Sequence, residues 1–173
     1  MRSGIAWCAA LLSIAMLLEG CASTSSVRAD PAPANDLVGA WRSSLTVESG
    51  PFASVKNLQL MCVFNAGGTM TESANYDEAP PVPPAYGVWR AAGPKQFEAR
   101  YWFFNTRAPA HFEDLSTGGG WAPSGYGLLT ERITLSSGGS TYDSTLTLEM
   151  FDEAGAPTEG STRAKAHGTR LGF

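Results

Sequence analysis

The spacing of the predicted strands constrains the fold of this chain more than any single residue does. From residue 36 onward, alternating, β-branched and aromatic stretches are separated by clusters of Gly, Pro and Ser, with no sustained helical period. Long and short connections alternate strictly between these stretches, and the short ones contain the glycine typical of tight hairpin turns. The eight predicted strands cover residues 39–48, 56–65, 69–75, 86–92, 96–105, 126–136, 140–151 and 160–170.

This alternation predicts an up-and-down arrangement, because successive connections of an antiparallel meander fall at opposite ends. The long loops would then lie together at one end and the tight turns at the other. Eight strands can close into a barrel that holds one small ligand, and closure removes exposed strand edges. The sequence therefore predicts an all-β, eight-stranded antiparallel barrel over residues 37–173, with a β-sandwich as the alternative.

The N-terminal region has the pattern of an export signal. The apolar run at residues 5–18 follows an arginine and is shorter than the roughly 20 residues of a membrane-spanning helix. It ends in "LLEGCAST", which resembles the lipobox of bacterial lipoproteins through Leu18, Gly20 and Cys21, although Glu19 departs from that pattern. The resemblance implies acylation of Cys21 and a lipid-anchored envelope protein, at the outer membrane and facing the periplasm. Plain secretion is the alternative.

Composition divides the chain into three parts. We expect a signal peptide over residues 1–20, and the lipidated cysteine with a flexible Ala-, Ser- and Pro-rich tether over 21–36. Residues 37–173 form the predicted barrel domain. The net charge of −4 argues against a nucleic-acid partner, which would favour a clustered basic face.

Cysteine usage predicts no disulfide. Cys8 leaves with the signal peptide and Cys21 carries lipid, so Cys62 has no cysteine left to pair with. Because Cys62 lies in the apolar run "LQLMCVF", we predict that it is a small buried hydrophobe.

Two short motifs resemble those of the lipocalin or calycin barrels. Gly39 and Trp41 are similar to the Gly-x-Trp signature at the start of the first strand. Arg170 stands where that group keeps a basic residue packed on the tryptophan. The resemblance implies a closed end of tight turns, with Trp41 under Arg170, and an open end of long loops.

Strand periodicity makes Glu131 an unusual residue. It shares a face with Leu129 and Ile133, so the pattern would bury a carboxylate in an apolar interior. A buried carboxylate must be paired, hydrogen-bonded or protonated. The alternatives are a register error of one residue, a salt bridge to an inward arginine, a polar anchor for a ligand, or the acid of a barrel enzyme.

Aromatic residues concentrate at the predicted long-loop end. Trp102 and Phe104 should face outward, where they would pack under the longest loop or form a patch for a partner. The predicted ligand-binding residues are Tyr76, Tyr86, Tyr101, Phe112, Trp121, Tyr126 and Glu131.

Motifs for catalysis or metal binding are missing from the sequence. His111 lies in "AHFED" without the two-histidine spacing of zinc sites, and no phosphate loop or dinucleotide fingerprint occurs. We therefore predict a monomeric, non-catalytic barrel without metal or cofactor, which binds a small apolar or amphipathic ligand. The alternatives are a protein-interaction or inhibitor barrel and a small barrel enzyme around Glu131.

Overall fold

The computed structural model describes residues 35–76, 84–117, 120–158 and 160–173. The predicted signal peptide, the lipidation site Cys21 and nearly all of the predicted tether lie outside these described residues. The described ranges contain the whole set of predicted strands, so the fold prediction can be compared with the structure strand by strand.

Eight strands, numbered β1 to β8, follow the predicted order. β6 begins at Ala122 rather than at residue 126, because β5 continues to Arg107 and pairs with Ala122 across an irregularity between Phe104 and Thr106. Three short 3₁₀ helices accompany them, at Asn35–Leu37, Pro51–Ser54 and Phe112–Thr117. The strands are β1 Gly39–Ser49, β2 Leu58–Phe64, β3 Thr69–Ala74, β4 Ala85–Gly93, β5 Gln96–Arg107, β6 Ala122–Leu135, β7 Thr141–Phe151 and β8 Thr162–Arg170.

The strands form a closed antiparallel barrel. Each pairs with the next along the chain, and β8 pairs with β1, for example through Arg170 opposite Trp41. The prediction of an up-and-down barrel is therefore confirmed over the sandwich alternative. The connections β2–β3, β4–β5 and β6–β7 are tight turns at one end, and the longer connections lie at the other, as the alternation of lengths predicted.

Trp41 and Arg170 close the tight-turn end as predicted. The fully buried indole of Trp41 donates its Nε1–H to the carbonyl of Leu37 at 2.9 Å. The Arg170 guanidinium lies 4.2 Å from the indole centroid and donates to the carbonyls of Val38 at 2.6 Å and Gly139 at 2.9 Å. Such a cation–π contact contributes about 0.5–2 kcal/mol.

The contact between Arg170 and Trp41 requires a glycine at the first position of the Gly-x-Trp motif. Gly39 has a φ of 139°, a backbone conformation that other residues rarely adopt. A Cβ at this position would also lie 2.8 Å from Nη1 of Arg170. The glycine therefore lets the guanidinium approach the backbone beside Trp41.

Aromatic rings fill the closed half of the interior. Trp41 and Tyr142 have ring centroids 5.1 Å apart, and Trp89 lies 6.0 Å from Phe64 and 5.8 Å from Phe97. The Trp89 indole also donates to carbonyls of the β2–β3 turn region. This half of the barrel is a packed core.

The inward face of the strands is the one that periodicity predicted. Cys62, on β2, is buried as expected of a small hydrophobe. Burial, followed by the negative charges of Glu131 and Glu72, raises the pKa of Cys62 well above its usual value. Its thiol therefore stays protonated at neutral pH.

Candidate ligand-binding cavity

The open half of the interior contains a cavity of about 450 Å³. This volume is in the range of pockets that hold small molecules. The lining combines inward side chains from the strands with residues of the long connections. Its members are Leu45, Val47, Pro51, Phe52, Ser54, Val55, Leu58, Leu60, Glu72, Ala74, Tyr76, Phe103, Phe104, Asn105, Thr106, Leu129, Leu146, Leu148, Met150, Thr158, Thr162 and Ala164.

The cavity exists because the inward residues change in size along the strands. Large rings meet across the barrel at its closed end. Toward the open end the inward positions carry aliphatic and small side chains, such as Val47, Ala74, Leu148 and Ala164. These side chains are too short to meet across the barrel, so space remains between them.

Two aromatic rings lie at the mouth of the cavity. Phe52 belongs to the 3₁₀ helix Pro51–Ser54, and its ring centroid lies 6.2 Å from that of Tyr76, in an edge-on arrangement. Both residues line the cavity. The long connection between β1 and β2 thus supplies part of the cavity wall.

Glu72 places a carboxylate in the cavity wall. It is 6% exposed and stands on β3 between its partners Cys62 and Ala85. Sequence reasoning missed this residue. Its alternation with Met70 and Ala74 on β3 was the signal that could have found it, because this face points inward.

Glu131 is buried, as the strand pattern predicted, with an exposed fraction of 1%. Tyr101 donates its hydroxyl hydrogen to Oε2 of Glu131 at 3.1 Å. Burial raises the pKa of Glu131, and the neighbouring hydroxyls of Ser144 and Tyr101 lower it in part. In the described part of the chain no salt bridge reaches Glu131, so neither a register error nor an inward arginine explains it.

Tyr101 and Glu131 adjoin the cavity without lining it. Tyr101 is opposite Leu129, and Glu131 is opposite Leu146, and both leucines belong to the cavity wall. Burial, followed by the negative charge of Glu131, raises the pKa of Tyr101 well above its usual value. Tyr101 therefore remains a hydrogen-bond donor to Glu131.

The other predicted ligand-binding residues lie in different places. Tyr76 lines the cavity, whereas Tyr86 is 61% exposed on the outside of the barrel. Tyr126 stacks on Phe151 with a centroid distance of 4.9 Å, and Trp121 is half-buried outside the lining. The side chain of Phe112 lies outside the described residues. Contact of these residues with a ligand stays a prediction.

The outward orientation of Trp102 and Phe104 is confirmed. Phe104 borders the rim of the cavity but is 75% exposed, and Trp102 is paired with the exposed Tyr86 on the neighbouring strand. Arg100 lies 5.7 Å from the ring of Trp102. Tyr86, Trp102 and Phe104 form an apolar patch on the exterior of the barrel. The use of this patch as a surface for another protein stays a prediction.

His111 forms a hydrogen bond within its own loop. Its backbone N–H donates to Oδ2 of Asp114 at 3.2 Å. Among the residues whose positions are described, no three His, Cys, Asp or Glu side chains are grouped as metal ligands. Along the described ranges, no helix has the length and apolar character needed to span a membrane.

No protein-family model matches the sequence, and no curated protein matches it. The class of the protein is therefore defined by its architecture. It is a closed, eight-stranded, up-and-down β-barrel with a packed closed end and a cavity at the open end.

Proposed function

We propose that this protein is a non-catalytic, lipocalin-like barrel that binds a small apolar or amphipathic molecule. The observation that carries the proposal is the cavity of about 450 Å³ among the long connections. Most of its lining residues are aliphatic or aromatic, so a ligand that removes these side chains from water is stabilised by the hydrophobic effect. The packed aromatic core beneath gives the cavity a rigid floor.

A cavity-filling substitution tests this function. Leu148 lines the cavity, and in the Leu148→Trp variant the indole would occupy space needed by a ligand. We expect the affinity for the uncharged fluorescent probe N-phenyl-1-naphthylamine to fall at least about tenfold. The measurement is a fluorescence titration of purified protein.

The matched control is Thr145→Trp, which adds the same ring on the exposed outer face of β7. We expect this variant to bind the probe as the unchanged protein does. The proposal is wrong if the unchanged protein does not bind the probe, or if both variants bind it equally well.

We propose further that the barrel is attached to the bacterial envelope by lipid on Cys21. The support is the apolar run at residues 5–18 and the lipobox-like "LLEGCAST" that follows it. Lipoprotein-type acylation supplies more than one chain, and two chains anchor a protein stably where one does not.

Replacing Cys21 by serine is expected to abolish both fatty-acid labelling and retention in the membrane fraction of bacterial cells. Serine lacks the thiol to which the lipid would be attached. Cys8→Ser, inside the signal region, is the matched control and should keep both properties. Unchanged labelling of the Cys21→Ser protein would contradict the anchor.

A further inference from the structure

The exposed apolar side chains of the barrel are concentrated on one side. Six of the nine large hydrophobic residues that are exposed in the described part of the chain stand on the outside of β2, β4 and β5. We call this surface the apolar outer face, and it contains the patch described above. Its members are Met61, Val63, Tyr86, Val88, Trp102 and Phe104.

Strand pairing makes these residues neighbours. Val63 and Tyr86 stand opposite Thr71 from its two sides, and Tyr86 stands opposite Trp102. Residues that oppose each other in this way have Cβ atoms about 4.5–5.5 Å apart. The apolar outer face is therefore continuous across four strands, and a continuous apolar surface of this kind marks an interaction site.

The opposite side of the barrel is polar. β7 and β8 direct charged and hydroxyl side chains outward, and the charged ones form ion pairs. Lys165 contacts Glu48 at 2.5 Å, and His167 contacts Asp143 at 2.9 Å. The outside of the barrel thus has one side that is stabilised by leaving water and one that is not.

Two arginines border the apolar outer face. Arg100 stands opposite Val88, and its guanidinium lies 5.7 Å from the ring of Trp102. Arg42 stands next to β2 and donates to the neutral amide oxygen of Gln59. Neither arginine forms a salt bridge with a carboxylate of the described residues. Their charges complement the anionic head groups of a lipid bilayer.

The proposed anchor places a bilayer within reach of this face. Thirteen residues separate Cys21 from Asn35, where the described barrel begins at its closed end. A chain of this length extends at most about 50 Å, and the 12-residue strand β5 is about 40 Å long. The anchor therefore allows the side of the barrel to lie on the bilayer and keeps the two at high effective concentration.

We infer that the apolar outer face docks on the surface of an anionic lipid bilayer. This inference rests on the proposed attachment through Cys21 and assigns the side of the barrel that meets the membrane. The rings of Tyr86 and Trp102 lie at the level of the head groups, where amphipathic aromatic side chains are stabilised. Because Phe104 also borders the cavity, docking brings the cavity mouth to the bilayer, from which an apolar ligand can enter.

Quenching of Trp102 by lipid tests the inference. The full-length protein is purified from bacterial membranes and reconstituted into vesicles of phosphatidylcholine and phosphatidylglycerol, with ordinary acyl chains or with chains brominated near the head group. The difference between the unchanged protein and Trp102→Phe gives the emission of Trp102. We expect the brominated chains to remove at least about half of it, as for an indole at head-group level. Equal emission in both kinds of vesicle would overturn the inference.

The matched control is Thr145→Trp, which adds an indole on the polar side of the barrel. The emission of this added indole should be the same in both kinds of vesicle. Quenching as strong as that of Trp102 would overturn the inference, because the barrel would then have no preferred face. Tyr86→Trp reports on the apolar outer face at a second position, so the test does not depend on the folding of Trp102→Phe.

The arginines give a separate measurement. Arg100→Gln should lower the ratio of docked to undocked protein about fivefold, as for the loss of one cation near an anionic surface. Arg163→Gln, on the exposed outside of β8, should leave the ratio unchanged. Equal ratios in these two variants would contradict docking on anionic lipid.

Flotation of the same vesicles separates this inference from the proposed anchor. If the protein stays with the vesicles but Trp102 is not quenched, the anchor stands and the docking face is wrong. If the protein does not stay with the vesicles, the anchor is wrong and the inference fails with it. Cross-links between two copies through Tyr86, with Trp102 unquenched, would overturn the inference and assign the face to a second copy of this chain.

Discussion

Replacing Trp41 by alanine is expected to lower the free energy of unfolding by about 3–5 kcal/mol, the usual cost of removing a large buried aromatic side chain. The indole is fully buried and contacts the ring of Tyr142 and the guanidinium of Arg170. Its removal opens a cavity at the closed end and leaves Arg170 without its aromatic surface. The carbonyl of Leu37 also loses its indole donor.

Urea unfolding followed by far-ultraviolet circular dichroism measures this effect. Phe104→Ala is the matched control, because Phe104 is a large aromatic residue that is 75% exposed. We expect the control to change the free energy of unfolding by less than about 1 kcal/mol. Similar losses in the two variants would contradict the assignment of Trp41 as the floor of the barrel.

The second large effect concerns the pH dependence of stability. Burial raises the pKa of Glu131 above its ordinary value of 4.5, so the folded protein binds a proton that the unfolded chain has already released. Stability is therefore lost as pH rises from about 4.5 through the raised pKa, with a slope of up to about 1.4 kcal/mol per pH unit. Below about pH 4.5, proton binding by Glu131 no longer changes the free energy of unfolding, and the full stability of the protein with neutral Glu131 is present.

The Glu131→Gln variant is expected to lack this part of the pH dependence. Its amide is neutral at every pH, and its oxygen can still accept the hydrogen bond from Tyr101. Above the window it should therefore be more stable than the unchanged protein. Glu149→Gln, on the exposed outer face, serves as the control for loss of one carboxylate. The explanation fails if urea unfolding at several pH values gives Glu131→Gln and the unchanged protein the same slope.

The barrel could be predicted because its determinants are local in sequence. Tight turns and long connections alternate along the chain. In an antiparallel meander, successive connections lie at opposite ends, so the tight turns gather at one end of the barrel and the long connections at the other. The contact between Trp41 and Arg170 was expected from the resemblance of Gly39, Trp41 and Arg170 to the motifs of the lipocalin barrels. The inward position of Glu131 followed from alternation with Leu129 and Ile133.

The cavity could not be predicted in the same way, because it depends on which side chains meet across the barrel. The sequence did not show whether each aromatic residue near the loops lies inside or outside the barrel. Tyr76 lines the cavity, whereas Tyr86 pairs with Trp102 on the exterior. Phe52 reaches the cavity from a 3₁₀ helix, where strand alternation gives no guidance. The volume itself arises from small differences in side-chain length on different strands.

The seam between β1 and β8 also determines how this chain must fold. Arg42 lies opposite Thr169, so closure joins two strands from the extremes of the barrel sequence. Bringing two such distant strands together costs loop-closure entropy, so we expect this pairing to form later than the hairpins between consecutive strands. Until β8 is in place, β1 and β7 each present an unpaired edge to other chains, and this period is when the protein is most exposed to aggregation.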